Sequence, residues 1–188
     1  DAANATNYGA TAVAGKISSA IKTDGVSQYW SIPALSPVLT TELEVKFWVK
    51  LDATTDKFCI GAWQSGGGGT DQWLIVANRL SANTLEFHAI GTSSGDYITM
   101  PVTWTTDWTH VCVKYSGGGV RLFINGKNKY NGTVTTRAFR STALPIWVGR
   151  YNSVYCKAAI DDLRIDSELK SDEVLEEIAV RGAEESLG

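Results

Sequence analysis

Between Glu42 and Leu51 apolar and polar side chains alternate without a break, and this period of two constrains the fold more than any other feature. Leu43, Val45, Phe47, Val49 and Leu51 share one face, while Glu42, Glu44, Lys46, Trp48 and Lys50 share the other. Successive side chains of a strand point to opposite faces, so the pattern is that of a strand laid over a core. Further runs of strand character lie at 27–32, 57–63, 73–78, 84–90, 97–100, 108–115, 120–125, 129–134, 146–149 and 155–165. The last run changes parity, because Ile160 points opposite to Leu163 and Ile165. That predicts a bulge near Asp161-Asp162 or burial on both faces.

Turn chemistry separates the runs. Ser116-Gly117-Gly118-Gly119 and Asn125-Gly126 supply residues that accept positive φ between strands, so both read as hairpins. Gly66 to Gly69 form a longer loop between Trp63 and Trp73. One helix is expected, over 171–181. Ser171-Asp172-Glu173 caps it, Val174 and Ile178 give an apolar stripe, and Gly182 closes it. Many strands and one late helix predict an all-β, two-sheet antiparallel sandwich.

The 188 residues suit a single domain spanning 1–188, with 1–18 as an N-terminal strand or arm. Seven Trp, seven Tyr and five Phe supply enough aromatic area to repay ordering, which excludes a disordered chain. The 17 basic and 20 acidic residues are spread along the chain, with a net charge of −3, whereas binding a phosphate backbone normally needs a basic face. Nucleic acid is therefore not an expected partner. No apolar run approaches the roughly 20 residues that cross a bilayer, so no membrane insertion is expected. The chain begins at Asp1, which reads either as a processed product or as a piece of a longer one. Cys59, Cys112 and Cys156 are an odd set that allows at most one internal disulfide; buried thiols are the simpler expectation.

Catalytic signals are thin. Gly91-Thr92-Ser93-Ser94-Gly95 matches the G-x-S-x-G elbow in letters, but strand patterns flank it on both sides. Glycoside hydrolysis needs two facing carboxylates. Glu42 and Glu44 have the spacing but lie on a charged, edge-like face, and Asp161-Asp162 are adjacent, so a regular strand would turn them apart. His88, beside Glu86, and His110 lack a third ligand and read as hydrogen-bonded core or face residues rather than metal ligands. Asn4-Ala5-Thr6 and Asn131-Gly132-Thr133 are acceptor triplets short enough to arise by chance.

Three stretches in series resemble the laminin-G-like and pentraxin-like branch of the concanavalin A-like jelly rolls. They are Thr23-Asp24-Gly25-Val26-Ser27-Gln28-Tyr29-Trp30, the segment Asp107-Trp108-Thr109-His110-Val111 through Leu122-Phe123-Ile124-Asn125-Gly126, and Ala159-Ile160-Asp161-Asp162-Leu163-Arg164-Ile165 with Ser171-Asp172-Glu173-Val174. The resemblance implies a jelly-roll sandwich with a binding role toward glycans or other surface ligands. It also aligns Asp71 and Gln72 with the calcium-binding pair of pentraxins. The second loop of such a site, from Gly149 to Tyr155, contains no carboxylate here, so a double calcium site is not expected. A single structural Ca²⁺ near Asp71, Asp24 or Asp162 remains open.

Two loops instead combine aromatic faces with planar polar groups, the ingredients of sugar recognition. One carries Trp147, Arg150, Tyr151, Asn152 and Tyr155; the other carries Trp63, Gln64, Asp71, Gln72 and Trp73. The resemblance implies that they lie close together. The expected function is a non-catalytic, lectin-like glycan-binding or attachment module of a secreted, cell-surface or virion protein. The alternatives are a jelly-roll polysaccharide-active enzyme and a structural or protein-adhesion domain. Edge strands and exposed aromatics permit oligomers.

Overall fold

The computed structural model describes residues 5–35, 41–63, 72–78, 83–90, 95–135 and 144–172. Among these the strands are β1 (Thr6–Tyr8), β2 (Thr11–Ala14), β3 (Ser19–Lys22), β4 (Tyr29–Ile32), β5 (Glu42–Lys50), β6 (Cys59–Trp63), β7 (Gln72–Ala77) and β8 (Thr84–Ile90). They continue with β9 (Gly95–Pro101), β10 (Thr109–Ser116), β11 (Gly119–Ile124), β12 (Lys127–Thr133), β13 (Ile146–Val148), β14 (Arg150–Tyr151), β15 (Val154–Tyr155) and β16 (Ala159–Asp166). Two antiparallel sheets face each other. Sheet I has the order β1-β4-β13-β6-β7-β8-β9, and sheet II has the order β12-β11-β10-β5-β16-β3-β2. Each sheet also pairs strands distant in sequence, as β5 does with β10 and β16, which is the crossing connectivity of a jelly-roll sandwich.

The core lies between the sheets and follows the alternation. Leu43, Val45, Phe47, Val49 and Leu51 are buried from sheet II, opposite Ile60, Val76, Leu85, Phe87, Ile146 and Val148 from sheet I. Phe47, Phe58 and Trp104 meet edge to face at one end, with centroids 5.5 and 5.2 Å apart. Turn chemistry sets the hairpins. Gly117 and Gly118 (φ +52° and +96°) connect β10 to β11, and Asn125 and Gly126 (φ +50° and +76°) connect β11 to β12. The parity change in β16 is a bulge: its register with β5 shifts between Asp161 and Arg164, and Asp162 has φ +46°.

One expectation is corrected. The polar face of β5 is neither edge-like nor solvated. β5 lies centrally, between β10 and β16, and Glu44, Lys46 and Trp48 are buried. The chain passes over that outer face twice. Lys16 places its ammonium 5.5 Å from the Trp48 ring. The Lys170 amide donates to Glu44 Oε2 at 3.0 Å. Lys46 Nζ bridges Glu44 Oε1 and Asp166 Oδ2 at 2.7 and 3.1 Å, and Lys114 Nζ reaches Asp172 at 2.9 Å. A buried carboxylate needs this pairing, because an uncompensated charge off water costs several kcal/mol. The expected helix over 171–181 falls, from residue 173 onward, outside the described residues.

Candidate functional site

The outer face of sheet I carries the densest group of partly exposed aromatic rings. β4 reads Tyr-Trp-Ser-Ile, and its parity sends Trp30 and Ile32 toward the core while Tyr29 and Ser31 face outward. On the neighbouring strands Tyr8 of β1 lies directly opposite Tyr29, and Trp147 of β13 lies opposite Ser31 and Gly61. Tyr8 and Tyr29 stack with ring centroids 4.3 Å apart and planes within 6°. Gly61 presents no side chain beside Trp147.

The chain then turns back over this face. Gly149 makes the turn at φ +87°, packed so close to Thr23 that a Cβ would sit 2.6 Å from Thr23 Cγ2. Only glycine fits both demands. Gly149 donates to Cys59 O and accepts from the Cys156 amide, each at 2.8 Å, so the β14–β15 hairpin is tied down on both sides. Tyr151 packs underneath against Cys59, Ala77 and Cys156, three buried residues. All three cysteines are free thiols.

This hairpin delivers Arg150 into the aromatic group. Its guanidinium carbon lies 4.6 Å from the Trp147 ring, 4.9 Å from Tyr29 and 5.4 Å from Tyr155. Each such contact is worth roughly 0.5–1 kcal/mol at a partly exposed site. Arg150 Nε donates to Asn152 O at 2.8 Å, and Asn152, at φ +53°, shapes the turn that provides that carbonyl. Among the described residues no carboxylate pairs with Arg150. Its remaining N–H groups, the Trp147 indole N–H and the hydroxyls of Tyr8, Tyr29 and Tyr155 have no protein partner there. The result is a ladder of rings and one cation, with Tyr8 47% exposed at its end.

Of the residues singled out in the sequence, Trp147, Arg150, Tyr151, Asn152 and Tyr155 come together here. Trp63, Gln72 and Trp73 lie in β6 and β7, with Trp63 opposite Gln72, and Gln64 and Asp71 fall outside the described residues. β13 runs antiparallel to β6. The hairpin therefore leaves beside Cys59, while the segment after Trp63 starts from the other end of β6, about 13 Å away at 3.3 Å per residue. Tyr8 and Tyr29 belong to the ladder and were not singled out. For Tyr29 the outward parity of the Tyr-Trp-Ser-Ile run was the available signal.

Of the calcium candidates, Asp71 falls outside the described residues, and the carboxyls of Asp24 and Asp162 are bonded locally. Asp24 Oδ1 accepts from the amides of Val26, Ser27 and Gln28 at 2.8–3.0 Å, and the bonds from Ser27, Val26 and Gln28 hold its carboxyl below the usual range. Asp162 Oδ1 accepts from Arg164 Nε at 2.9 Å. Among the described residues no three His, Cys, Asp or Glu side chains come together as a metal-ligand set.

The acid pairs are engaged structurally. Asp161 Oδ2 accepts from the amides of Lys16 and Ile17 at 2.7 and 2.8 Å, fixing the turn between β2 and β3. Glu42 Oε1 accepts from Ser116 Oγ at 3.0 Å. Of the histidines, His110 is buried against Trp48, and His88 Nε2 lies 3.2 Å from Glu86 Oε2. Gly91 to Ser94 fall outside the described residues, between strands β8 and β9 that pair antiparallel.

Among solved structures, the binding domain of Paraclostridial Mosquitocidal Protein 1 superposes with a TM-score of 0.72 at 12% identity, covering 94% of this chain and 47% of that one. Domain 4 of AbnA, a GH43 extracellular arabinanase from Geobacillus stearothermophilus solved with arabinotriose, gives 0.70 at 20% identity, covering 94% and 87%. The botulinum neurotoxin serotype D ligand binding domain, solved with N-acetylneuraminic acid, gives 0.71 at 13% identity, covering 95% and 46%. This chain thus spans about half the length of the toxin domains. No curated protein sequence matches it. The family model Laminin_G_3 matches residues 24–175, and the chain belongs to that family, within the concanavalin A-like lectin/glucanases superfamily.

Proposed function

We propose that this chain is a non-catalytic carbohydrate-binding module of a secreted, cell-surface or virion protein, and that the ladder around Arg150 is its glycan site. One observation carries the reading: a half-buried guanidinium is held among three rings with, among the described residues, a single protein hydrogen bond and no acid partner. A cation moved partly off water needs oxygens to face, and a planar fork of donors suits paired hydroxyls or a sugar carboxylate. The C–H face of a sugar stacks on the exposed parts of Tyr8 and Trp147, with the free indole and phenol groups bonding its hydroxyls. Two structures of this fold hold sugars, domain 4 of AbnA with arabinotriose and the serotype D domain with N-acetylneuraminic acid. The non-catalytic part rests on the acids. Glu44 and Asp161 are buried and spent on ion pairs and backbone amides, which leaves neither oriented as a proton donor toward a ligand.

A glycan array, run once with calcium and once with a chelator, tests this. We expect binding that survives the chelator, drops at least tenfold in Arg150→Ala, and recovers only in part in Arg150→Lys, which keeps the charge without the fork. Trp73→Ala in parallel reports on Trp63, Gln64, Asp71, Gln72 and Trp73 as a separate contact region. Binding abolished by the chelator would transfer the site to a metal, with Asp71 first to examine. Absence of any glycan binding would favour a protein-adhesion or structural role. Turnover of a soluble polysaccharide that is lost on replacing one carboxylate would favour an enzyme.

A further inference from the structure

A second aromatic station lies on the same face of sheet I, well away from the Arg150 ladder. His88 of β8 and Tyr97 of β9 are directly opposed across the two strands, and their rings stack 5.3 Å apart with planes within 20°. Tyr97 is 62% exposed, the most open aromatic side chain among the described residues. Its partner is nonetheless fixed: His88 Nε2 lies 3.2 Å from Glu86 Oε2, and the Glu86 side chain is fully buried. An exposed tyrosine set against an anchored imidazole has already lost much of its rotamer freedom, so stacking a ligand on it costs less ordering entropy.

Register ties this station to the ladder. Reading across the sheet, Trp147 lies opposite Gly61, Gly61 opposite Ile75, Ile75 opposite His88, and His88 opposite Tyr97. All five therefore fall on one line perpendicular to the strands, and core residues alternate with them on every strand. Four inter-strand steps of about 4.8 Å place Tyr97 roughly 19 Å from Trp147. Glycine occupies the position next to Trp147, so the line passes low over β6. A single sugar cannot touch both ends.

We propose that Tyr97, stacked on His88, is a second subsite for the same ligand, and that the ligand is an extended, linear oligosaccharide lying across the strands of sheet I. The inference rests on the glycan-binding reading of the Arg150 ladder and adds the length and course of the chain it takes. Both stations combine a stacking ring with polar groups, which suits pyranose or furanose rings joined in a line. Once one end is seated on the ladder, the other reaches Tyr97 as an intramolecular event, so affinity should rise when the oligomer becomes long enough to span.

Isothermal titration with two size ladders, linear arabino-oligosaccharides and linear cello-oligosaccharides from disaccharide to octasaccharide, tests this. The expected result is a step in affinity with length in at least one ladder. Tyr97→Ala should remove that step, weakening the long oligomers about three- to tenfold while leaving the short ones unchanged. Tyr97→Phe should retain it. Arg150→Ala should weaken short and long oligomers alike. Affinity independent of length, or equal loss on short and long oligomers in Tyr97→Ala, would overturn the second subsite while leaving the first intact. Failure of both ladders to bind would also overturn it, and array binding lost in Arg150→Ala would then still uphold the ladder as a glycan site.

Discussion

His110 shows how one buried side chain ties stability to acidity. Its ring is 2% exposed against Trp48, and Nδ1 has no hydrogen-bond partner among the described residues. Burial, with the charge of Lys46 acting in the same direction, lowers its pKa from 6.5 to about 4. Between those values the unfolded chain binds a proton that the folded chain refuses. Stability present above pH 6.5 is therefore lost as pH falls toward 4, by about 3 kcal/mol from this group. Urea unfolding of the native chain and of His110→Phe, compared from neutral pH to pH 4.5, should show a shallower decline in the variant; parallel declines would contradict this origin. At this level the sequence was only half legible. Alternation told which side chains of β5 share a face, and it put Glu44, Lys46 and Trp48 together correctly. It could not tell that Lys16 and the 169–172 segment cover that face, because nothing local to β5 encodes a second layer arriving from distant parts of the chain on both sides of it.

Strands and turns differ in how they announce themselves. β5, β8, β10 and β11 lie within a residue or two of the runs that alternation outlined, and Asn125-Gly126 and Gly117-Gly118 turn as their chemistry requires. β2, β3 and β14 are four residues or fewer and largely polar or small. Their identity comes from pairing, as when β3 joins β16, so their own sequence carries little pattern. The hairpin that presents Arg150 depends on one such place. Gly149→Ala forces a side chain into left-handed backbone and against Thr23, at about 1–2 kcal/mol for the backbone alone. Displacement of the hairpin should weaken glycan binding as well. Gly126→Ala, at φ +76° in the β11–β12 turn of the other sheet, should carry the same backbone cost and leave binding unchanged. Thermal unfolding together with array binding of the two variants checks the contrast. Equal binding by both would mean that the hairpin geometry does not matter to the ligand.

Across the whole molecule, the candidate site is a product of topology. Tyr8, Tyr29, Trp147, Arg150 and Tyr155 come from both ends of the chain, and β4 joins them by pairing with β1 on one side and β13 on the other. The aromatic and guanidine chemistry of 147–155 was readable in advance, since it needs no knowledge of neighbours. The participation of Tyr8 was not, because a three-residue strand of exposed residues shows no periodicity. Sheet order also decided where the other loop begins, at the far end of β6 from the hairpin. The most direct measurement is an NMR titration of the isotope-labelled chain with the best ligand from the glycan array, following backbone amides and the Arg150 side chain. Shift changes centred on Tyr8, Tyr29, Trp147 and residues 150–155, with the buried outer face of sheet II silent, are the predicted result. Changes confined to other loops, or to the Lys46–Lys114 network, would contradict the assignment of the site.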